Sequence, residues 1–499
     1  MGEVWRAWDL RVEDVVAIKI IRPDALSEET VDRFITERRL STVLKHPGVV
    51  SIHDLGRFGA LPWFAMPLIE GQTLDELIEA LHRPPPGDEP PDLIGLIDVL
   101  CEVADTAHYA HGQKVIHRDL KPSNVMINQY RDVFVLDWGI AHLRANEAER
   151  RALGVAGALD QTRFDDLMGT PTYMAPEQTR LLSGSGAQSI GLGPYTDIYA
   201  MGVILYRILT GEVPFSPGPH LIGQICFAPV PDIHAYASYF EKPTTLIALC
   251  LQAMSKQPAA RPPSAAAFAA LLRQWRRREE RRRRARTKLQ GLNGTLEALD
   301  RLRAEVAQAR LDAEQARRET PMHLPVAEKK KFWAIEDQAD AMEQQMVLAE
   351  IDLERELNVM LSEAPDLDET HSLLADLIQH QHYRAEEEGR RAEALRLESR
   401  LRVHDRGIHK SYLKGEAQFS LQTDPPGARA RLYRYMQEDR RLKSVFVREL
   451  GLTPIRDTTV EHGSYLIVLT HLNCHTVRYP VHLSRGETWS LIDPRGETS

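Results

Sequence analysis

The stretch His117-Arg118-Asp119-Leu120-Lys121-Pro122-Ser123-Asn124, with Asp137-Trp138-Gly139 after it, decides the reading of this chain. It puts a carboxylate, an ammonium and an amide within one short loop. Asp137 follows Asp119 by eighteen residues. Between them, Val125–Ile127 and Val133–Leu136 read as a pair of short strands, because each is apolar and a polar turn separates them. A hairpin of that kind brings Asn124 and Asp137 together as oxygen ligands. Such ligands suit Mg²⁺, a hard cation that also takes phosphate oxygens. Phosphoryl transfer asks a protein mainly for positioning and charge neutralisation, and this set supplies both.

The rest of the chain bounds the reading. Its 499 residues predict about three domains. At 43% hydrophobic and 27% charged it has ordinary globular composition. The net charge of −9 argues against a nucleic-acid coat, so no nucleic-acid partner is expected. Cys101, Cys226, Cys250 and Cys474 form no CxxC pair, which fits reduced thiols and a cytoplasmic setting. No apolar run reaches the roughly 18–20 residues of a membrane span. Ile198 to Leu209 comes nearest, contains Arg207, and reads as a buried core helix.

At this point the sequence resembles the Hanks-type serine/threonine protein kinases of bacteria. The loop from His117 to Asn124 matches the catalytic loop, and Asp137-Trp138-Gly139 stands where Asp-Phe-Gly is usual. Val16-Ala17-Ile18-Lys19 matches the lysine strand, and Ala175-Pro176-Glu177 the close of the activation segment. Asp197 and Arg261 match two anchor positions of the large lobe. The resemblance implies an α+β, bilobal kinase fold over residues 1–275, with ATP and Mg²⁺ as cofactors and Ser/Thr-bearing proteins as substrates.

The resemblance also implies roles. Asp119 orients the substrate hydroxyl, Lys121 stabilises the transferred phosphoryl group, and Asn124 and Asp137 hold Mg²⁺. Lys19 contacts the ATP phosphates and pairs with Glu37, which precedes His46-Pro47 by the family's interval. Glu28 and Glu29 are rival partners that fit better as charges capping a helix start. In the adenine pocket Met66 is the gatekeeper, while Pro67 offers a carbonyl and Ile69 an N–H. Val4, Ala17 and Met126 are the apolar walls. Trp138 is bulkier than the usual Phe, and its N–H needs a partner if buried.

Of the family's glycine-rich loop only Gly2 and Val4 are present, so the natural protein is expected to begin upstream of Met1 with the missing first strand. In the activation segment Thr162 is expected as an autophosphorylation site, and Thr170 to pack beside the catalytic Asp. Arg83 to Pro91 and Ser183 to Pro194 read as exposed loops.

Residues 276–415 read as a helical linker. Leu289, Leu292, Leu296, Leu299, Leu302 and Val306 form a coiled-coil stripe, a seam for a homodimer through 289–311. A second stripe runs from Met342 to Leu361. Two TPR-like helices hinged near Gly389 follow. Residues 416–499 turn to β texture and resemble a PEGA-like module, from Asp424-Pro425-Pro426-Gly427, Leu450-Gly451-Leu452-Thr453-Pro454 and Gly463-Ser464-Tyr465. The alternative to an active kinase is a pseudokinase scaffold that works through these modules.

Overall fold

The computed structural model describes residues 2–11, 13–87, 89–138, 141–143, 171–182, 191–237, 240–320, 325–438, 441–472 and 474–490. Packing divides the chain into two compact units, Met1–Glu279 and Glu280–Ser499.

The first unit opens with strands β1 (Gly2–Asp9) and β2 (Asp14–Ile21), then helix α1 (Glu28–Val43), β3 (Asp54–Phe58) and β4 (Leu61–Pro67). The four strands form one sheet in the order β1-β2-β4-β3. Strand pairing sets Val4 opposite Lys19, and Ala17 opposite Met66. Partners in a ladder share a face, so one side of this sheet carries the lysine and the apolar residues expected around adenine. Ser27 caps α1, its hydroxyl accepting from the Thr30 N–H at 3.1 Å. Glu28 and Glu29 therefore occupy the first helical turn behind the true cap, where acidic charge suits the helix dipole.

β5 (Gly71–Thr73) leads into the large lobe, with α2 (Leu74–His82) and α3 (Leu93–Gly112). Thr73 and Glu76 cap α2 reciprocally. A Cβ at Gly71 would lie 1.9 Å from the Ile127 carbonyl oxygen, so only glycine lets β5 lie against its neighbour. Then come β6 (Val115–Ile116), β7 (Val125–Asn128), β8 (Val133–Val135) and β9 (His142–Leu143). They are followed by α4 (Pro176–Leu182), α5 (Pro194–Thr210), α6 (Leu221–Phe227), α7 (Thr244–Ala253) and α8 (Ala265–Gly291). The core lies around α5, which is buried from Ile198 through Tyr206. Pro194 belongs to that helix and not to the preceding loop. Its fixed φ and missing N–H suit the first helical position.

α8 runs unbroken through the expected boundary at 275, because the arginine run is good helix sequence with ion-pair partners. Arg273 pairs with Asp105, and Arg276 donates to Asp98 at 2.8 Å.

In the second unit α9 (Asn293–Glu319) and α10 (Val326–Glu363) pack together, followed by α11 (Asp368–Glu387), α12 (Arg391–His404) and α13 (Lys410–Leu413). The two leucine and methionine stripes meet each other: Leu299 and Val306 share one cluster with Met346, Leu353 and Leu357. The seam read as a homodimer contact is thus buried inside one chain. Gly389, at φ 71°, makes the turn between α11 and α12.

Glu350 on α10 is 2% exposed and bridges Arg303, at 3.0 Å, and Arg384. Removing it leaves Arg384 without its carboxylate and Arg303 with only the exposed Asp300, 3.3 Å away. Glu350→Ala is predicted to destabilise this unit by about 3–5 kcal/mol, read from urea unfolding followed by helical circular dichroism.

Strands β10 (Glu416–Leu421), β11 (Arg429–Glu438), β12 (Arg441–Leu452), β13 (Ile455–Glu461), β14 (Gly463–His471), β15 (Cys474–Leu483) and β16 (Thr488–Ser490) complete the chain. They form two sheets, β13-β10-β16 and β12-β11-β14-β15, whose facing residues, among them Phe419, Leu432 and Ile467, make a shared core. Arg485 fastens this module to the helices through Glu386 at 3.0 Å and Glu398 at 3.1 Å.

Candidate active site

β2 and α1 position the first pair. Lys19 Nζ lies 2.5 Å from Glu37 Oε1 and 3.5 Å from Asp137 Oδ1. Burial alone would pull the lysine pKa down, but the two carboxylates hold it above the ordinary lysine range. Burial pushes the Glu37 carboxyl up, with Lys19 opposing. The contact of 2.5 Å makes the two side chains an ion pair. Glu37, from the middle of α1, reaches Lys19.

The loop after β6 carries the second group. Lys121 Nζ donates to Asp119 Oδ2 at 2.7 Å. The Asn124 amide donates to the Asp119 carbonyl at 2.9 Å and to Oδ2 at 3.1 Å. This spends the amide nitrogen of Asn124 and leaves its carbonyl oxygen for a ligand. A turn of 3₁₀ helix, Pro122–Asn124, fixes that geometry. The Leu136 N–H then bonds to the backbone carbonyl of Asn124 at 2.8 Å, which draws Asp137 to the same end of the β7–β8 hairpin.

Asp137 sits at φ 63° and Arg118 at φ 70°. Non-glycine residues rarely adopt that region, and such strain clusters at functional sites. Burial pushes the Asp137 carboxyl up, but Lys19, His117 and Lys121 together hold it below the ordinary carboxylate range. It is therefore an anion at neutral pH, half exposed to the cleft. An anionic carboxylate and an amide oxygen fit Mg²⁺, which takes few protein ligands and completes its shell with phosphate and water.

Trp138 is buried, and its indole N–H finds the Val135 carbonyl at 3.1 Å. Its ring packs on His117, with centroids 4.6 Å apart. The larger side chain is thus satisfied without touching the carboxylate beside it. Met66 packs against Ile21, Phe34 and Phe64, Ala17 is buried, and Met126 stands opposite Thr73 in β7. Val4, 57% exposed, lies on the cleft face of β1, and Gly2 precedes it. Pro67 ends β4, with Ile69 two residues on. Thr162 and Thr170 lie outside the described residues.

Several supports escaped the sequence reading. Asp197, fully buried, accepts from the His117 and Arg118 N–H groups, each at 2.9 Å, and from His111 Nε2 at 2.7 Å. Burial pushes its carboxyl up, yet these bonds and the nearby histidines hold it low. Gln178 donates to the Arg118 carbonyl at 2.9 Å. His111 and Gln178 belong to no motif, and only the fold brings them under the loop. Asp197 was legible as an anchor, though not what it anchors.

Arg261 holds Glu177 through two bonds, of 2.7 and 2.9 Å, with both side chains buried. Arg261→Ala strands a buried carboxylate. It is predicted to cost about 3–5 kcal/mol, seen as a lower unfolding midpoint of the first unit.

A small sheet with a lysine–glutamate pair, set over a helical lobe with a carboxylate–amide loop, defines the protein-kinase class of fold. The protein kinase domain model matches residues 1–272, and the chain belongs to that family. It is 34% identical over 229 residues to the serine/threonine-protein kinase PknD of Protochlamydia amoebophila, covering 44% of this chain and 22% of that protein. It is 36% identical over 273 residues to the serine/threonine-protein kinase pkn3 of Myxococcus xanthus, covering 52% and 45%. For the serine/threonine-protein kinase PknB of Mycolicibacterium smegmatis the identity is 32% over 269 residues, covering 52% and 39%. The chain spans less than half the length of each of these relatives.

Proposed function

We propose that this chain is a serine/threonine protein kinase, moving the γ-phosphoryl group of ATP to hydroxyls of proteins, itself included. The observation that carries the reading is the Lys19–Glu37 ion pair formed with Asp137 against it. A pseudokinase scaffold would not need to keep that pair together with the Asp119–Lys121–Asn124 set.

Lys19 is held charged and aimed by Glu37, and it meets the α- and β-phosphate oxygens. Asn124 and Asp137 would hold Mg²⁺, which when bound would neutralise charge on the phosphate oxygens. Asp119 Oδ2 is occupied by Lys121 and Asn124. Its other oxygen faces the substrate hydroxyl and receives its hydrogen as the hydroxyl oxygen bonds to the γ-phosphorus and the bond from that phosphorus to the β–γ bridging oxygen breaks, releasing ADP. Lys121, beside it, neutralises charge on the phosphoryl group in transit. Met66, Ala17, Met126 and Val4 enclose adenine, and the Pro67 carbonyl and Ile69 N–H recognise its edge.

The named relatives and Lys121 both favour Ser and Thr over Tyr as acceptors. Hydrolysing the labelled protein tests this: phosphoserine and phosphothreonine are expected, and phosphotyrosine alone would reject the assignment. Thr162 is proposed as one acceptor, checked by mapping phosphopeptides. Cys101, Cys226 and Cys250, buried as free thiols, support a cytoplasmic setting. Among the described residues no helix is long and apolar enough to cross a membrane. The helical pair and the PEGA-like β module are proposed to select partners.

A further inference from the structure

The outermost strands of the four-stranded sheet β12-β11-β14-β15 differ in how they are protected. An edge strand offers a row of unpaired N–H and C=O groups, and proteins usually blunt it with proline, charge or a cover. β15 carries Pro480, which has no N–H to give. β12 runs twelve residues without proline; it carries charge at Arg441, Lys443, Arg448 and Glu449 and bulges at Val447 and Leu450, and all but one of its residues are exposed. Its centre is Val445-Phe446-Val447, apolar on both faces, at 47%, 55% and 46% exposure. A three-residue β-branched and aromatic run of this kind normally marks a buried strand.

The strand also projects past its own sheet. β14 pairs with β11 only from Arg429 to Arg434. β12 follows β11 out to the Glu438–Arg441 pair. The outer part is thus a two-stranded ribbon, stiffened by Tyr433 and Phe446 in edge-to-face contact at 5.5 Å.

Charge says what fits there. Arg429, Arg431, Arg434, Arg441, Lys443 and Arg448 stand against only Glu438 and Glu449 on the two strands. Arg431 and Arg441 have no ion-pair partner among the described residues. A second copy of β12 would bring like charge to this edge, whereas an acidic segment would be drawn to it.

From this we infer that β12 is a docking edge for an acidic, extended segment of another protein, which adds as a further strand. Main-chain hydrogen bonds supply the pairing. Apolar side chains of the segment cover Val445, Phe446 and Val447, and carboxylates meet Arg441 and Lys443. The inference rests on the β module alone and is independent of phosphoryl transfer.

The test uses the full chain and two labelled peptides of about ten residues, the length of an ordinary strand. One alternates glutamate with valine, and the other has lysine for glutamate. Fluorescence anisotropy should show the acidic peptide bound at least about tenfold more tightly, with affinity falling as salt rises. Phe446→Glu, and separately Arg441→Glu with Lys443→Glu, should each weaken it about tenfold or more. Arg441→Glu with Lys443→Glu removes no apolar contact, so its thermal melt should stay within about a degree or two, while Phe446→Glu gives up the Tyr433 contact and should lower the melt by only a few degrees. Equal binding of both peptides, binding of neither, or binding indifferent to both variants would overturn the inference. So would a concentration-dependent dimer that Phe446→Glu dissolves, since that assigns the edge to a second copy.

Discussion

Asp137→Asn is expected to lower phosphoryl transfer by on the order of 10³-fold while leaving the fold intact. The carboxylate is half exposed, and its only side-chain hydrogen bond among the described residues, from Lys19 at 3.5 Å, is too long to be strong. Little packing is lost on substitution. What is lost is the charge. An anion set among Lys19, His117 and Lys121, and held below the ordinary carboxylate range, becomes a neutral amide. Mg²⁺ affinity should fall with it, because the site then offers two amides and no carboxylate. The check is initial velocity against Mg²⁺ concentration, with the thermal melt as control. A melt unchanged within a degree or two and a collapsed rate are expected together. If raising Mg²⁺ restored full velocity, the loss would lie in affinity alone and not in stabilisation of charge at the reacting group.

The second large effect is at Lys19. Lys19→Met keeps the stem that lies along the buried sheet face but removes the ammonium. Two consequences follow. The ATP phosphates lose their contact from the small lobe, and Glu37 is left buried without its partner, with burial already pushing its carboxyl up. Activity is expected to fall by at least about 10²-fold. Glu37→Gln tests the division of labour. It retains Lys19, but the ammonium then has only Asp137 to pair with and swings toward it. A smaller loss, carried mostly by KM for ATP, is the expected sign of a positioning role. If Glu37→Gln were as damaging as Lys19→Met, Glu37 would have to do more than hold the lysine.

The parts of this site that were legible in the sequence are those where the chemistry needs contiguous residues. A loop carrying Asp119, Lys121 and Asn124 can be read because one short turn presents all three. Asp137 can be read because a two-strand hairpin returns the chain to the same place. Lys19 and Glu37 needed the family's spacing as well, since nothing local says that a strand lysine meets a helix glutamate. His111 and Gln178 were hidden for the opposite reason. They act on backbone groups of residues far along the chain, and only tertiary packing of α3 and α4 places them there.

The C-terminal half shows two further limits. The leucine stripe on α9 has the pattern of a coiled coil, but a heptad does not say whether its partner is another chain or the next helix. Here α10 supplies the facing stripe. In β12 the run Val445-Phe446-Val447 would be assigned to a core, because composition scores a strand's burial and not its place at an edge. Pro194 reads as loop beside its neighbouring glycines and serines, yet proline equally opens a helix, as it does for α5.

The central claim is that Lys19, Asp119, Asn124 and Asp137 form one working phosphoryl-transfer site. It is tested most directly by following γ-labelled ATP with Mg²⁺ and the purified chain, counting label on protein against ADP formed. The expected result is label on serine and threonine matching the ADP released, and none with Asp119→Asn. Tight ATP binding by a folded chain with no label transferred, to itself or to added Ser/Thr protein, would contradict the claim.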